Sequence, residues 1–372
     1  MPFAKLNCMR QKDMGVSATK IVLLSIFLFL GMVLPGILMQ PEASLQVWDV
    51  KESDFPSNSS SEEKLTFLLN YAILAPSSHN SQPWKFNVSE GEIQVFADKS
   101  RWLKVADTDR REQYISIGCA LENLIIAAEH FGYNYSVSYF PGPEDLVAVV
   151  SLQAGSGSPS DSRLFSAITS RQTNSNPYEP RAISDADLET IYRLSSDPDT
   201  SIFIANDSAT KKKFHDLVVA ADGIQYSDVN YKSELGRWLG MGGMGPTGIR
   251  AKMAQIAIAF LDVGPEQTRK DSELINSTSY FGFISTANND SISSIKAGRT
   301  LERFWLSATS LGISLHPMSQ VLEVQQTKAE LAGLLPAKSG MVQVQQTFRL
   351  GYGEPTKERS TRRPLEDVLI EE

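Results

Sequence analysis

Hydrophobic and polar positions repeat with two different periods along the chain, and these periods predict helices and strands in mixed order. Apolar positions at helical spacing predict a helix that begins after Ser60, where Glu63 completes a capping box. A longer helix is predicted from about Asp109 to Phe131, ending at Gly132. Strict alternation in the stretch YSVSYF predicts a strand, and the stretch LVAVVSL that follows it predicts another. The pattern therefore indicates an α+β fold in which helices cover antiparallel and mixed sheets.

A second set of helices and strands follows a Gly- and Ser-rich joint at residues 154–160. Its helix near 293–311 repeats the pattern of the first long helix at a spacing of 180 residues. The recurring positions are Gly118, Leu121, Glu122, Ala128 and Gly132, which match Gly298, Leu301, Glu302, Ala308 and Gly312. The match indicates a duplicated unit, in effect a dimer fused into one chain. Because these residue types are common in buried helices, two unrelated core helices are the alternative.

The amino-terminal region carries a separate pattern, an uncharged apolar run at residues 21–39. At about 1.5 Å per residue, a helix of this length crosses a hydrocarbon core about 30 Å thick. Basic residues precede the run and acidic residues follow it. The positive-inside rule therefore places the amino terminus in the cytoplasm and the globular part on the other side of the membrane. A cleaved signal peptide is the alternative.

The predicted organisation follows from these patterns. It comprises a basic tail at 1–20, a transmembrane anchor at 21–40, a linker at 41–60, a first half at 61–160 and a second half at 161–372. The linker is assigned because its sequence is polar and lacks periodicity.

Composition and charge exclude several classes of function. The net charge of −8 leaves no excess of basic residues to neutralise phosphates, which argues against a nucleic-acid partner. Two cysteines, Cys8 and Cys119, cannot form a disulfide framework or a multi-thiolate metal site. The four histidines lack the spacing of a zinc enzyme, so no metal site is predicted. A small molecule or a cofactor is the favoured ligand.

The segment at residues 75–84, APSSHNSQPW, carries the clearest candidate chemistry. Its small and polar residues, placed between a helix and a strand, leave amides and hydroxyls free for the polar edge of a planar heterocycle. The segment resembles the A-P-S-x-x-N-x-Q-P-W signature of the nitroreductase family. The resemblance implies that a flavin is contacted by Pro76, Ser77, Ser78 and Asn80.

Two further segments resemble motifs of the same family. Arg171 with Thr173 and Asn174 resembles the R-x-S-x-R flavin-phosphate motif, with Thr173 in place of Ser and without the later Arg. An Arg and a hydroxyl two residues on can hold a phosphate by charge-assisted hydrogen bonds. Near the carboxyl terminus, Arg362 and Arg363 resemble the basic residues that reach this phosphate. A solvated basic tail is the alternative.

A loop after the second long helix provides a third match, where His316 is followed by Pro317, Met318 and Ser319. In the nitroreductase family the equivalent loop lays a backbone N–H against the flavin N5. A plain strand-to-helix connection is the alternative interpretation. The Gly-rich stretch at 240–248 is a candidate lid or hinge, or else a solvent-exposed loop.

The order of these motifs resembles the Acg-type branch of the nitroreductase family, in which one chain contains both halves. The resemblance implies a nitroreductase-like fold and a monomer with pseudo-dimer symmetry. It also implies a single FMN at a composite site, with NAD(P)H as a candidate electron donor. Because the flavin N5 carries the hydride in such proteins, no catalytic side chain is predicted.

Three functions are consistent with these motifs. The first is a membrane-anchored oxidoreductase that passes hydride from a reduced donor to a nitroaromatic, a quinone or a similar acceptor. The second is a non-catalytic protein that sequesters FMN, a role proposed for the Acg-type branch. The third, an anchored dehalogenase-like flavoprotein, belongs to a group with a homodimeric site plan that this chain lacks. We expect the first.

Overall fold

The computed structural model describes residues 45–155, 161–245, 247–335, 340–356 and 359–370. The described helices are α1 (Ser61–Ala72), α2 (Arg111–His130), α3 (Ser162–Ile168), α4 (Asp185–Ser195), α5 (Ser208–Ser227), α6 (Val229–Gly240), α7 (Gly248–Phe260), α8 (Gly264–Ser277), α9 (Ser291–Ser310), α10 (Gln320–Glu323) and α11 (Gln325–Ala332). The described strands are β1 (Trp84–Ser89), β2 (Glu92–Ala97), β3 (Tyr133–Tyr139), β4 (Leu146–Ala154), β5 (Thr200–Ala205), β6 (Tyr280–Thr286), β7 (Ser314–Pro317) and β8 (Gln343–Gly351).

Two of the predicted segments fall where the structure gives no description. The predicted anchor at 21–39 lies outside the described residues, as does the part of the predicted joint at 156–160. Among the helices that are described, none combines the length and the apolar character needed to cross a membrane.

The first half of the fold is a four-stranded sheet with the order β1-β2-β4-β3. β1 and β2 form a hairpin, and Gly91 in its turn has a φ of 78°, a conformation that glycine adopts without strain. Helix α2 leads from β2 to β3 and packs against the sheet. Ser60 and Glu63 make both hydrogen bonds of the predicted capping box at the start of α1.

The second half repeats this topology. Its strand order is β5-β6-β8-β7, with α9 between β6 and β7 as α2 lies between β2 and β3. A register irregularity falls on the equivalent strand pair in each sheet, at Val95/Phe96 and at Ile284/Ser285. Equal strand order and equally placed irregularities agree with the predicted duplication. The eight strands pair antiparallel, as predicted for part of the sheets. Parallel pairing is limited, in the described chain, to single bridges at the sheet edges, from Phe86 to Leu369 and from Thr173 to Leu315.

The halves differ most between their first two strands. In the first half a tight turn joins β1 to β2, whereas in the second half the four helices α5 to α8 separate β5 from β6. The second half therefore contains an insertion that has no counterpart in the first.

Helices α2 and α9 pack directly against each other, with a glycine of each at the contact. A Cβ on Gly118 would lie 2.2 Å from the carbonyl oxygen of Ile295, and a Cβ on Gly298 would lie 2.1 Å from the carbonyl oxygen of Ile115. Residues 115 and 118 match 295 and 298 at the 180-residue spacing, so the contact is reciprocal, as across a twofold axis. The Cys119 thiol adds a hydrogen bond to the Gly298 carbonyl oxygen at 3.2 Å.

Both ends of the described chain pack onto the rest of the fold. The Phe86 amide donates to the Val368 carbonyl at 2.8 Å, and the Ile370 amide donates to the Phe86 carbonyl at 2.8 Å, which adds the tail to β1. The predicted linker differs from expectation in its described part. Trp48 is buried there, and its Nε1 donates to the Ser360 carbonyl at 2.9 Å. Burial of this aromatic side chain outweighs the polar sequence around it.

The glycine contact generates a stability prediction with a matched control. Gly118→Ala and Gly298→Ala should each lower the free energy of unfolding by about 1–3 kcal/mol, because the added methyl meets a backbone carbonyl that cannot move aside. Gly223→Ala on α5 should instead raise it by about 0.5–1 kcal/mol, since a Cβ at that position has no atom within 4 Å. Urea unfolding measures all three. Equal behaviour of Gly118→Ala and Gly223→Ala would show that the helix contact is looser than described.

Candidate functional site

The loop between α1 and β1 has a strained backbone. His79, Asn80 and Gln82 have φ values of 49°, 50° and 50°, a left-handed region that costs a residue with a side chain about 1–2 kcal/mol. The Gln82 amide donates to Ser77 Oγ at 2.9 Å, which holds the turn closed. Backbone strain of this kind persists only where the surroundings enforce it, and it clusters at binding sites.

Asn80 joins this loop to two distant segments. Its Nδ2 donates to the carbonyl oxygens of Gly243 at 2.8 Å and of Thr361 at 2.9 Å. Its Oδ1 accepts from Arg362 at 3.0 Å. The predicted flavin contact Asn80 is thus fully hydrogen-bonded within the protein. Its side chain connects the first half, the insertion in the second half and the carboxyl-terminal tail.

A cavity of about 870 Å³ lies beside the loop, a size within the range of cofactor pockets. One wall is formed where α2 meets α9, by Ile115, Cys119, Leu301 and Trp305. The cavity is also lined by all but two of the predicted cofactor contacts, namely Pro76, Ser77, Ser78, Asn80, Arg171, Thr173, Pro317, Met318, Ser319 and Arg362. Residues that belong to different predicted motifs and are far apart in the sequence therefore line one cavity.

Asn174 and Arg363 are the two predicted contacts that do not line the cavity. Asn174 is buried, and its Nδ2 donates to Ser314 Oγ and to the Glu354 carbonyl, both at 2.9 Å. The guanidinium of Arg363 pairs with the Asp98 carboxylate at 3.3 Å. Because both side chains are engaged in holding chain segments together, we no longer place them among the candidate cofactor contacts.

Two buried arginines meet at one end of the cavity. Arg171 and Arg362 both donate to the Leu74 carbonyl, at 2.9 and 3.1 Å. Arg171 Nε also lies 3.3 Å from Glu302 Oε1, an ion pair that is buried on both sides. Burial raises the pKa of Glu302 to about 7, although Arg171 acts in the opposite direction. One carboxyl group beside two guanidinium groups leaves this end of the cavity positively charged.

This positive end fits the phosphate of an FMN. Arg362 lines the cavity, and its buried Nε has no hydrogen-bond partner among the residues that the structure describes. Burial, and then the neighbouring Arg171 cation, lower the pKa of Arg362 to about 9. An anion placed here would offset both the buried charge and the unpaired donor. The chemistry of the residues present therefore suits the group that the sequence motifs imply.

The loop at Pro317–Ser319 forms another part of the cavity wall. The Met318 amide donates to the Thr347 carbonyl at 2.8 Å, so it is already used within the protein. Any amide of this loop that faces a ligand must therefore come after Met318. The neighbouring His316 accepts from Arg349 at 3.2 Å through Nδ1. Burial, and then the Arg349 cation, lower the pKa of His316 to about 3, which keeps the imidazole neutral.

The Gly-rich stretch predicted as a lid or a solvent loop is described at residues 240–245 and 247–248. Gly243, Met244 and Gly245 line the cavity, and Gly243 accepts the hydrogen bond from Asn80. The described part of this stretch is therefore not a purely solvent-exposed loop. Helices α5, α6 and α8 of the insertion contribute further to the cavity wall.

A carboxyl pair in the insertion was missed by the sequence analysis. Asp222 on α5 and Asp271 on α8 are both buried and line the cavity, and Asp222 Oδ2 has no hydrogen-bond partner in the described chain. Burial, and then the nearby Asp271 carboxylate, raise the pKa of Asp222. Burial also raises the pKa of Asp271. No local motif could reveal the pair, since the two residues are on different helices.

At the position related by the duplication, longer charged side chains replace two residues of the cavity wall. Ser116 and Cys119 on α2 correspond to Lys296 and Arg299 on α9 at the 180-residue spacing. Lys296 forms an ion pair with Asp199. Arg299 binds Glu122 at 2.8 Å and donates to the hydroxyl of Tyr139, also at 2.8 Å. Long, paired cations thus stand where the cavity has small neutral side chains. The connection between α4 and β5 is also shorter than the strained loop that precedes β1.

Several curated proteins are similar to the chain over most of its length. No protein-family model matches the chain. The acg protein of Mycobacterium tuberculosis, provisionally named a NAD(P)H nitroreductase, is 27% identical over 320 residues, which cover 80% of this chain and 92% of that protein. A second M. tuberculosis protein with the same provisional name is 25% identical over 276 residues, or 72% of this chain and 79% of that protein. PigM of a Serratia species, also provisionally named a NAD(P)H nitroreductase, is 22% identical over 308 residues, or 74% of this chain and 85% of that protein.

Solved structures give weaker matches that cover about half of the chain. A nitroreductase with bound FMN from Desulfitobacterium hafniense has a TM-score of 0.38 at 12% identity and covers 56% of this chain and 97% of that one. The FMN-dependent nitroreductase NfnB from Mycobacterium smegmatis, in complex with NADPH, has a TM-score of 0.36 at 10% identity and covers 52% of this chain and 88% of that one.

The carboxyl pair generates a prediction about pH. A carboxyl whose pKa is raised by folding destabilises the protein increasingly as pH rises above about 4, where the unfolded group ionises. Asp222→Asn cannot ionise, so its free energy of unfolding should exceed that of the wild type by about 1 kcal/mol or more at alkaline pH, and the gain should vanish near pH 4.

The control for this prediction is Asp216→Asn, an exposed position on the same helix that pairs with Lys212. It should not reproduce the gain, because folding lowers rather than raises the pKa of Asp216. Urea unfolding at several pH values measures both variants. A gain for Asp222→Asn that does not change with pH would mean that the Asp222 carboxyl is not desolvated.

Proposed function

We propose that the chain is an FMN-dependent, NAD(P)H-linked oxidoreductase of the nitroreductase type, with a quinone, a nitroaromatic or a similar compound as acceptor. One observation carries the proposal. A strained loop and a buried, positively charged arginine pair face the same 870 Å³ cavity at the contact between two duplicated halves. The names of the relatives, NAD(P)H nitroreductases, support the same enzyme class, and FMN is the cofactor of the nitroreductases with solved structures.

The residues around the cavity divide into two groups by chemistry. Arg171 and Arg362 would hold the phosphate of FMN, since they are buried cations at one end. The loops at 76–80 and 317–319 would orient the ring system. Bound in this way, FMN supplies hydride transfer through its N5 atom. The protein's part is to position the reactants and to exclude water, and the insertion contributes to both by walling the cavity.

The proposal is tested on the purified full-length chain. We expect one FMN per chain, released on denaturation, and loss of the yellow colour when NADPH or NADH is added under argon, followed by its return when a quinone is added. Bound flavin that neither nucleotide reduces would instead support the FMN-sequestering protein. Two flavins per chain, or none after reconstitution, would contradict the single composite site.

A double variant tests whether the flavin phosphate binds in this cavity. Arg171→Gln alone would leave the Glu302 carboxyl buried without its partner, so Arg171→Gln with Glu302→Gln is the sharper test. This double variant should weaken FMN binding by roughly tenfold to a hundredfold, the effect of losing a hydrogen bond to a charged group. Riboflavin, which has no phosphate, should bind it as it binds the wild type. Arg163→Ala on the exposed ion pair with Asp161 is the control. Equal loss of FMN and riboflavin would remove the phosphate assignment.

We also propose that the chain is membrane-anchored through residues 21–39 as a monomer, with a cytoplasmic amino terminus and an extracytoplasmic domain. The support is the uncharged apolar run, with basic residues before it and acidic residues after it. Two sheets and the helix contact between them lie within one chain, which favours the monomer.

The side of the membrane on which the domain lies can be measured directly. Protease added to intact spheroplasts should digest the domain, because the charge asymmetry places it outside the cytoplasmic membrane. A cytoplasmic marker protein in the same sample should survive. Digestion that occurs only after the membrane is ruptured would reverse the orientation.

A further inference from the structure

Helix α7 of the insertion presents an exposed apolar face. The side chains of Ile249, Met253, Ile256, Phe260 and Leu261 are 71%, 64%, 38%, 82% and 60% exposed. The first four follow one another at intervals of four, three and four residues, which places them along one side of the helix. A contiguous apolar surface of this kind marks an interaction site.

Charge around α7 is the reverse of the charge on the chain as a whole. No acidic residue occurs between Glu234 and Asp262, whereas Arg237, Arg250 and Lys252 lie in that stretch. The whole chain has a net charge of −8. Basic side chains next to an apolar stripe are typical of helices that lie in the interface of an anionic bilayer.

The length of chain before the domain limits where the bilayer can be. The apolar run ends at residue 39, and the described structure begins at Leu45. At no more than about 3.5 Å per residue, residues 40–44 keep Leu45, the first described residue, within roughly 20 Å of the end of the apolar run. Trp48 near the start of the domain and Gly243–Gly245, which lead into α7, line the same cavity. The start of the described chain and the segment before α7 therefore reach the same cavity.

We propose that the exposed apolar face of α7 rests in the headgroup region of the bilayer that holds the amino-terminal segment. The inference rests on the proposed membrane anchoring. Arg250 and Lys252 would then meet anionic headgroups, and the apolar side chains would enter the interface. The cavity would lie next to the membrane surface, where a lipid-dissolved quinone could enter past the insertion.

The test places a fluorescent probe at one residue of the full-length chain in vesicles. Two chains with one exposed cysteine each are made in a Cys8→Ser background, in which the remaining native cysteine, Cys119, is buried. One carries Met253→Cys on α7, and the matched control carries Glu90→Cys in the exposed turn between β1 and β2. Each is labelled and reconstituted in phosphatidylcholine and phosphatidylglycerol vesicles that contain spin-labelled lipid. The probe at 253 should lose fluorescence by contact with the lipid quencher, and the probe at 90 should not.

A charge variant refines this result. Arg250→Gln with Lys252→Gln should reduce the quenching at 253 in vesicles with phosphatidylglycerol and leave it unchanged in phosphatidylcholine alone. Unchanged quenching in both would overturn the role of the basic residues. Because all of these side chains are on the surface, the FMN content measured in the same samples should equal that of the wild type.

The other possible results of the vesicle experiment distinguish failure of the α7 docking from failure of the membrane anchoring. Chains that float with the vesicles and resist carbonate extraction, but show no quenching at 253 or equal quenching at both probes, overturn the docking of α7 and leave the anchoring intact. Chains that do not float overturn the anchoring and the docking together. Probe-to-probe contact at 253 between two chains, without lipid quenching, would show that a second copy covers α7. Normal FMN content and reduction in any of these cases would leave the proposed enzyme function standing.

Discussion

The contact between Gly118 and Gly298 is the constraint on which the other features depend. Each glycine lets a backbone carbonyl of the opposite helix approach to a distance that any side chain would prevent. This approach brings α2 and α9 together, and their side chains form one wall of the cavity. The two sheets are placed on either side of the same helix pair. A change in the helix contact would therefore move the cavity wall and both halves at once.

Asn80 performs a similar role for the other walls. Three hydrogen bonds from one short side chain connect the strained loop, the insertion and the tail. Its positive φ is part of this arrangement, because an extended backbone would direct the amide elsewhere. Asparagine tolerates this conformation better than most residues. Asn80 thus holds the walls of the cavity together and also lines the cavity.

Much of the fold could be predicted from the sequence because its signals are local. Capping residues, terminal glycines and the patterns of short stretches predict α1, α2, β3 and β4 within a few residues. The 180-residue match was weak as sequence, but it identified the helix pair because a backbone contact tolerates only glycine at Gly118 and Gly298. The direction of strand pairing depends on contacts between distant segments, so the sequence could not show that parallel pairing is confined to single bridges at the sheet edges of the described chain.

The candidate site was predictable to the extent that its residues form short motifs. The segment 76–80 and the loop 317–319 were found in this way. Asp222 and Asp271 were not, because each is one acid on a helix of ordinary composition, and only packing brings them together. Arg171 was identified as a cation at a site, but its ion pair with Glu302 could not be anticipated from residues so far apart in the chain.

The connection between β5 and β6 has a consequence for how such a protein can change. In a homodimer one gene encodes both subunits, so every insertion and every substitution is made twice. Here one polypeptide carries both halves, and α5 to α8 occur in the second half while a tight turn serves the first. Lys296 and Arg299 fill one of two related positions, and Ser116 and Cys119 leave the other open. Covalent fusion thus frees each half from the requirements of the other, so one half can line a cavity with small side chains while the other carries paired cations at the related positions.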